Sequence, residues 1–386
     1  MEPMWPTMVK VEEKAIELLK LSNELSGKLH PISQRRIAML LRVMNSYYSN
    51  LIEGNITHPL DLERAQKNDY SAEPRKHSLQ REGRAHIEVQ EEFEAIVRNA
   101  PDINICSIDF LSRIHKSFYE KLPEDFRTVR STSGKTLIIV PGEVRTTDVE
   151  VGMHIPPSYT SLPSFLRRFE TVYAPDHLGG VKKIIAAATA HHRLAWIHPF
   201  LDGNGRVVRL FTHLYLIRAD LDSNGLWALS RGLARRREDY YSALEAADEH
   251  RYNDYDGRGN LSERGLTSFV DFILDVEIDQ VGYMSRLLEI DGLLERISQY
   301  VDLLAVRGTL DAAAKHVLGD VLLRGELPRS EISRITGKPE RSARRITQAL
   351  VAEELLSSET KLGPLRLNFP MKAVPYIFPS LFPANA

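Results

Sequence analysis

The run His198-Pro199-Phe200-Leu201-Asp202-Gly203-Asn204-Gly205-Arg206-Val207-Val208-Arg209 constrains this chain more than any other stretch. Pro199 pushes the residue before it out of helical geometry, so the small-residue helix read from Ile184 to Trp196 has to end near His198. Gly203-Asn204-Gly205 can turn successive backbone N–H groups inward as an anion nest. The amphipathic run from Arg206 to Arg218 then opens a helix whose positive end faces that nest, which makes a phosphate site. Arg206 and Arg209, three apart on the first turn, can both fork onto phosphate oxygens. Asp202 supplies one hard oxygen ligand, suited to a Mg2+ held mostly by water and by a substrate's own phosphates. His198 is the side chain best suited to take a proton near neutral pH. Together these residues describe a grip on a magnesium–polyphosphate with a base beside it, and hence attack of a hydroxyl on phosphorus.

The rest of the chain is mostly helical in pattern. Its 386 residues exceed what one core usually serves, so two or three domains are expected. A helix is read over Val11 to Leu25 with Gly27 as its stop. Another after Pro31 places Ile37, Leu40, Leu41, Met44, Tyr48, Leu51 and Ile52 on one face. A polar loop is read from Asp69 to Arg81, followed by helices over Arg84 to Val97 and Ile108 to Tyr119. Thr136–Val140 and Val149–Ile155 are β-rich and separated by Pro141-Gly142, which predicts a hairpin-like flap. Helices then continue to about Arg307, interrupted by the glycine-rich loop from Asp256 to Asn260.

Composition sets the partners and the compartment. With 43% hydrophobic and 26% charged residues the chain reads as an ordinary soluble globular protein. A formal net charge of −2 argues against a generic nucleic-acid binder while leaving room for a local basic patch. The single cysteine, Cys106, excludes an internal disulfide framework and is expected as a buried small apolar residue. The N-terminal MEPMWPTMVKVEEKAIELLK lacks the apolar core of a signal peptide, and no apolar run approaches the ~20 residues that span a bilayer. No membrane partner and a cytoplasmic location are therefore expected. Arg235-Arg236-Arg237 is read as a solvated face. His191 and His192 are read as packed or hydrogen-bonded helix residues, because no acid follows at the spacing of a zinc motif.

The His198–Arg209 segment resembles the signature of the Fic family, H-x-F-x-[D/E]-G-N-G-R-x-x-R, at every specified position. His191-His192 with Trp196-Ile197 resembles the family's lead-in helix, Gly142–Arg145 with Val149–Pro157 its flap, and Asp239-Tyr240-Tyr241 its adenine-side helix. The likeness covers roughly residues 30 to 290. It implies a mainly α fold: a Fic-type helical bundle with a small β-hairpin flap. It also implies transfer of AMP from ATP to a Ser, Thr or Tyr hydroxyl of a target protein, with release of pyrophosphate. On this likeness His198 is the base, Asp202 the Mg2+ ligand, and Gly203, Asn204 and Gly205 the phosphate cradle. Arg206 is assigned to the γ-phosphate, Arg209 to the phosphate chain, Tyr241 to the adenine, and Phe200 anchors the loop in the core. The flap at about 149–157 is expected to dock the target as an added strand. The chain departs from some relatives at Asp248, where they carry an asparagine that contacts the nucleotide.

Ser49-Asn50-Leu51-Ile52-Glu53-Gly54 closes the second helix with an acid, at the end where the helix dipole disfavours one. Ser49-x-x-x-Glu53-Gly54 resembles the family's inhibitory motif, [S/T]-x-x-x-E-[G/N]. A Glu53–Arg206 pair is expected from it, silencing transfer by removing the γ-phosphate clamp. The same resemblance allows Glu53 to position water for removal of AMP.

From about Leu310 a separate unit is expected. Its pattern is a short helix opening at Leu327–Ile332, a turn over Thr336–Glu340, a second helix from Arg341 to about Glu353, and a hairpin from Leu355 to Leu367. This resembles a C-terminal winged helix-turn-helix domain, with Arg341, Arg344 and Arg345 placed to meet DNA, or a docking partner in their stead. The domain reading is thus an N-terminal helical region over 1–95, a catalytic core over 96–290, a helical linker over 291–312, and the winged helix and tail over 313–386. A homodimer stays open. The rival function is a DNA-binding regulator whose Fic domain senses nucleotide.

Overall fold

In the computed structural model, residues 9–130, 136–152, 154–257 and 259–383 are described. The first described helices are α1 (Val9–Ser26), α2 (Pro31–Ile52), α3 (Pro59–Gln66), α4 (Pro74–Asn99) and α5 (Ile108–Glu120). After the short strands β1 (Thr128–Arg130) and β2 (Thr136–Ile138) come α6 (Leu162–Tyr173), α7 (Val181–Ile197), α8 (Asn204–Arg218), α9 (Leu229–Arg235), α10 (Arg237–Asp248), α11 (Glu263–Leu287) and α12 (Ile290–Val306). The helices α7 and α8, joined by the His198–Gly203 loop, are almost wholly buried.

Local chemistry sets the ends of α2. Pro31 starts it with its preset φ, and the side chain of His30 accepts from Ile32 N at 3.3 Å. It stops in a Schellman turn: Gly54 takes φ 85°, Gly54 N donates to Leu51 O at 3.0 Å, and Asn55 N donates to Asn50 O at 2.9 Å. The apolar face read from the sequence is buried at Ile37, Leu40, Leu41, Met44, Tyr48 and Ile52. The same helix also buries a polar stripe, Asn45, Ser46, Ser49 and Asn50, against α4 and α8.

The C-terminal elements are α13 (Ala314–Arg324), β3 (Glu326–Leu327), α14 (Glu331–Thr336), α15 (Glu340–Ala352), β4 (Leu356–Ser357), β5 (Leu365–Leu367) and α16 (Val374–Ile377). The strands form an antiparallel sheet of order β3-β5-β4, with Leu356 opposite Leu367. Ala343, Ile346 and Leu350 of α15 face inward as expected. This part is not detached. Ser33 Oγ of α2 donates to Leu322 O at 2.8 Å, Arg36 to Ser357 Oγ at 3.1 Å, and Tyr48 OH to Leu381 O at 3.0 Å. Phe382 packs edge-on to Tyr47. Buried apolar side chains from Val11 to Leu381 form one connected cluster.

Three local expectations are corrected. The loop read over Asp69–Arg81 is helical from Pro74, which nucleates α4 as its first residue. A short helix, α3, precedes it; its one turn of apolar residues was too brief to read. The β-rich segments do not pair with each other: β2 pairs with β1, Val129 opposite Leu137. Among the described residues of 149–157 the pairing is the bridge Val151–His154, because Gly152 turns the chain at φ 60° and the prolines 156 and 157 have no N–H to give. Met153 within that segment, residues 131–135 before β2 and Arg258 in the glycine-rich loop lie outside the described residues, as do residues 1–8 and 384–386.

Candidate active site

The loop between α7 and α8 is locked from every side. His198 ends α7 in the left-handed region (φ 50°, ψ 62°), a conformation a non-glycine residue holds only when its surroundings impose it. Arg145 imposes it. Its buried guanidinium donates to His198 O at 2.8 Å, Thr147 O at 3.0 Å and Pro157 O at 2.5 Å, and its own N–H donates to Pro199 O at 2.9 Å. Phe200 is fully buried and stacks on His115, centroids 4.2 Å apart. The Asn204 side chain folds back on the loop, accepting from Phe200 N at 2.9 Å and donating to Phe200 O at 2.8 Å. The Asn204 amide thus serves as a staple across the loop.

Glycine is required twice here. At Gly203 (φ 78°) a Cβ would press on the Tyr119 ring at 2.9 Å. At Gly205 a Cβ would clash with Oε1 of Glu53. The carboxylate of Glu53 thus lies directly over the first turn of α8.

His115 and Tyr119, four apart on α5, brace the loop from below. Gly142 N donates to His115 Nδ1 at 2.8 Å, so the ring's proton sits on Nε2, which donates to Asp202 O at 3.2 Å. Tyr119 OH donates to Asp202 Oδ2 at 2.7 Å. Burial pulls the Asp202 carboxyl upward, but Arg206, the Tyr119 hydroxyl and Gly203 N–H together hold it below its ordinary range, so it is ionised. Burial pushes His198 down to about 4, with the charges of His154 and Arg145 adding to the effect and Asp202 opposing it. At neutral pH His198 is a neutral imidazole, able to accept a proton.

The two motif arginines have different partners from those expected. Arg209 Nη2 meets Glu53 Oε1 at 2.5 Å, and Arg209 also donates from Nε to Ser49 Oγ at 2.9 Å and from Nη2 to Ser49 O at 3.1 Å. Arg206 turns instead to Glu82 of α4, with Asp202 at 3.6 Å and the Phe118 ring 4.9 Å beneath. The expected Glu53–Arg206 pair is therefore corrected to Glu53–Arg209. Three residues on a helix differ by about 60° in heading; α2 ends over the second arginine, whereas α4 runs beside the first. Burial raises the Glu53 carboxyl, and Arg209 and then Arg206 more than reverse this, leaving it lowered and charged.

The α10 residues also reach α2. Arg237 Nε and Tyr241 OH both donate to Ile52 O, at 3.1 and 3.2 Å, and the Arg237 guanidinium lies 5.4 Å from the Tyr241 ring. Arg237 thus supplies a cation at a helix C-terminus rather than a purely solvated one, and the Tyr241 hydroxyl is engaged with α2. Asp248 holds the flap. It accepts from His154 Nδ1 and His192 Nε2, both at 2.9 Å, while His154 Nε2 donates to Trp196 O at 2.9 Å. Acceptors face both ring nitrogens, and Asp248 outweighs burial to hold His154 above the usual histidine range. His191 bonds Thr212 Oγ1 and Tyr240 OH, each at 2.8 Å, as a packed helix residue. Cys106 is buried, as expected.

Sequence reasoning missed Glu82, His115, Tyr119 and His154. Spacing offered a signal only for the α5 pair, polar rings at i and i+4 on a strongly amphipathic helix. Among the described residues no group of three or more His, Cys, Asp or Glu side chains is arranged to hold a metal, and no helix is long and apolar enough to cross a membrane.

Residues 105–216, the stretch that holds this loop, match the model of the Fic/DOC family. The chain is similar to proteins named protein adenylyltransferase Fic. It is 37% identical to that of Drosophila erecta over 108 residues, 28% of this chain and 21% of the relative. It is 33% identical to that of Drosophila persimilis over 140 residues, 35% of this chain and 26% of the relative. The chain thus spans about a fifth to a quarter of the length of these relatives. A crystal structure of a Fic family protein from Desulfovibrio desulfuricans G20 shares the fold over 95% of this chain and 98% of that one, with TM-score 0.56 and 16% identity. A structure of Fic-1 from C. elegans aligns over 72% of this chain and 71% of that chain, with TM-score 0.52 and 18% identity.

Proposed function

We propose that this chain is a protein adenylyltransferase that moves AMP from Mg-ATP to a Ser, Thr or Tyr hydroxyl of a target protein, and to itself, and that Glu53 restrains it. The observation that carries the reading is the coupling of a neutral His198 to a glycine nest on one rigid loop. In the reaction the target hydroxyl attacks the α-phosphorus of ATP, His198 takes its proton, and the bond to the bridging oxygen breaks to release pyrophosphate. Backbone N–H groups at Gly203–Gly205 and the two arginines balance the phosphate charge. Magnesium enters with the nucleotide as part of the substrate. Asp202 is read as the carboxylate that touches it, which suits an ion that keeps most of its water. The likeness to relatives named protein adenylyltransferase supports this reading.

The target docks on the flap. Ile138, Val140, Val151 and Ile155 are exposed there, and Arg145 and His154 tie the flap to the His198 loop, so a segment laid on it is held in register with the base. Glu53 silences transfer because its carboxylate holds Arg209 and stands over Gly205, where it repels a phosphate. The C-terminal unit is a winged helix whose α15 presents Arg341, Arg344 and Arg345 to solvent for DNA or an acidic partner. The deciding experiment is incubation with α-labelled ATP and Mg2+, with self-labelling in Glu53→Ala and none in Glu53→Ala/His198→Ala. Equal labelling with and without His198 would overturn the mechanism.

A further inference from the structure

Asn55 follows the Gly54 turn that ends the Glu53 segment. Its Nδ2 donates to both oxygens of Glu82, at 3.1 and 2.9 Å. Glu82 is 1% exposed on α4, and its Oε1 is also the acceptor for Arg206 Nη1. Arg206 Nε is buried and has no hydrogen-bond partner among the described residues. Two arginines therefore face three carboxylates, Glu53, Glu82 and Asp202. One end of α2 touches both arginines, through Glu53 directly and through Asn55 by way of Glu82.

We infer that Glu82 is the positioning residue for Arg206, and that Asn55 makes it a second lock worked by the same helix end that carries Glu53. The inference rests on the nucleotide reading above and deepens its regulation. In the closed state Arg209 is held by Glu53, and Arg206 is held against a Glu82 whose two oxygens are fixed by Asn55. Withdrawal of Glu53 requires the Gly54 turn to move, because the Schellman bonds tie Asn55 to Asn50. Asn55 then leaves Glu82. Glu82 cannot follow, since it sits buried in the middle of a different helix. It keeps Arg206 by Nη1 and turns Nη2 and the unpartnered Nε toward the incoming phosphates. The two residues thus act in different states: Asn55 weights the closed form, and Glu82 serves the open one.

The test titrates Mg-ATP by calorimetry into His198→Ala protein, so that no transfer intervenes. With Glu53→Ala also present, Glu82→Gln weakens Mg-ATP binding by about tenfold, the effect of a lost charge-assisted anchor, and Asn55→Ala changes it less than about twofold because its lock is already released. With Glu53 intact, Asn55→Ala tightens binding by roughly threefold or more, as expected when a competing closed state loses weight. In the His198-containing Glu53→Ala enzyme, Glu82→Gln raises KM for ATP and spares kcat, whereas mere structural damage would lower kcat at constant KM. Unchanged Mg-ATP affinity in Glu82→Gln overturns the positioning role. Unchanged affinity in Asn55→Ala with Glu53 present overturns the lock, and that arm decides the matter even if Glu82→Gln does not fold. Failure of the Glu53→Ala/His198→Ala parent to bind Mg-ATP at all overturns the nucleotide reading itself, and this inference with it.

Discussion

Glu53 Oε1 and Arg209 Nη2 stand 2.5 Å apart, and the Ser49 hydroxyl and carbonyl also accept from the arginine. The oddity of an acid at a helix C-terminus is resolved by this pair. The dipole penalty is at most about 1 kcal/mol, whereas a charge-assisted contact to a buried guanidinium offsets more than that. Glu53→Ala is expected to raise self-labelling from α-labelled ATP by at least about tenfold, and Ser49→Ala by less, since Glu53 keeps its own contact. Equal labelling of wild type and Glu53→Ala would return Glu53 to an ordinary helix end.

The depressed pKa of His198 sets a pH signature. A base with pKa about 4 is neutral throughout the physiological range, so single-turnover transfer by Glu53→Ala should stay level between about pH 6 and 8 and fall only as pH drops toward 4. An acid limb centred near 6.5, the value of a free histidine, would show that His198 is not held down in the state that reacts.

Four further consequences for stability hang on buried titratable groups, and they have opposite signs. His86 and His191 are pushed by burial to about 3, and His115 to about 4. Between those values and about 6.5 only the unfolded chain holds these protons, so stability falls as pH drops through that window, by about 1.4 kcal/mol per pH unit for each proton. Glu277 runs the other way. Burial raises it to about 8, and its Oε1 has no partner among the described residues. The folded chain keeps that proton where the unfolded chain has lost it, so stability is lost as pH rises from about 4.5 to 8. Glu277→Gln should change the melting temperature little at pH 4.5 and stabilise by about 3 kcal/mol at pH 7, read from denaturant melts across pH.

Removal of residues after Ile377 tests how far the C-terminal segment belongs to the body of the protein. Tyr48 and Arg231 would lose their carbonyl partners at Leu381 and Ser380, and Tyr47 the Phe382 ring. A drop in melting temperature of several degrees is expected, the scale of a few kcal/mol in a chain of this size. An unchanged melt would mean that the tail lies on α2 without holding it.

The helices were legible wherever an apolar stripe met a strong stop, as at Gly27, Gly54 and Pro199, because periodicity and punctuation there agree. The nest and its histidine were legible for the same reason: their chemistry is contiguous. Glu82 was not, since a glutamate in the polar-looking first part of α4 differs from a solvated one through distant partners, Asn55 and Arg206, the latter 124 positions away. The flap misled in a related way. Thr136–Val140 and Val149–Ile155 have β composition, but pairing is decided by which neighbour has free N–H groups, and β1 had them where the Pro156-Pro157 segment did not. The choice between Arg206 and Arg209 likewise depends on where α2 ends in space, which no spacing along α8 encodes.

On the function proposed above, the Glu53 oxygen that would collide with any side chain at position 205 makes the protein its own tethered competitor. Its local concentration is set by the covalent connection through α2 and not by the amount of protein, so dilution leaves the restraint untouched. Free inorganic anions in the surrounding solution meet a cradle whose charge is already answered from within, and simple anions gain little there. Only a ligand that engages both arginines and the nest together can displace the tether by mass action. On that reading the apparent affinity for nucleotide scales with the fraction of molecules whose tether is withdrawn.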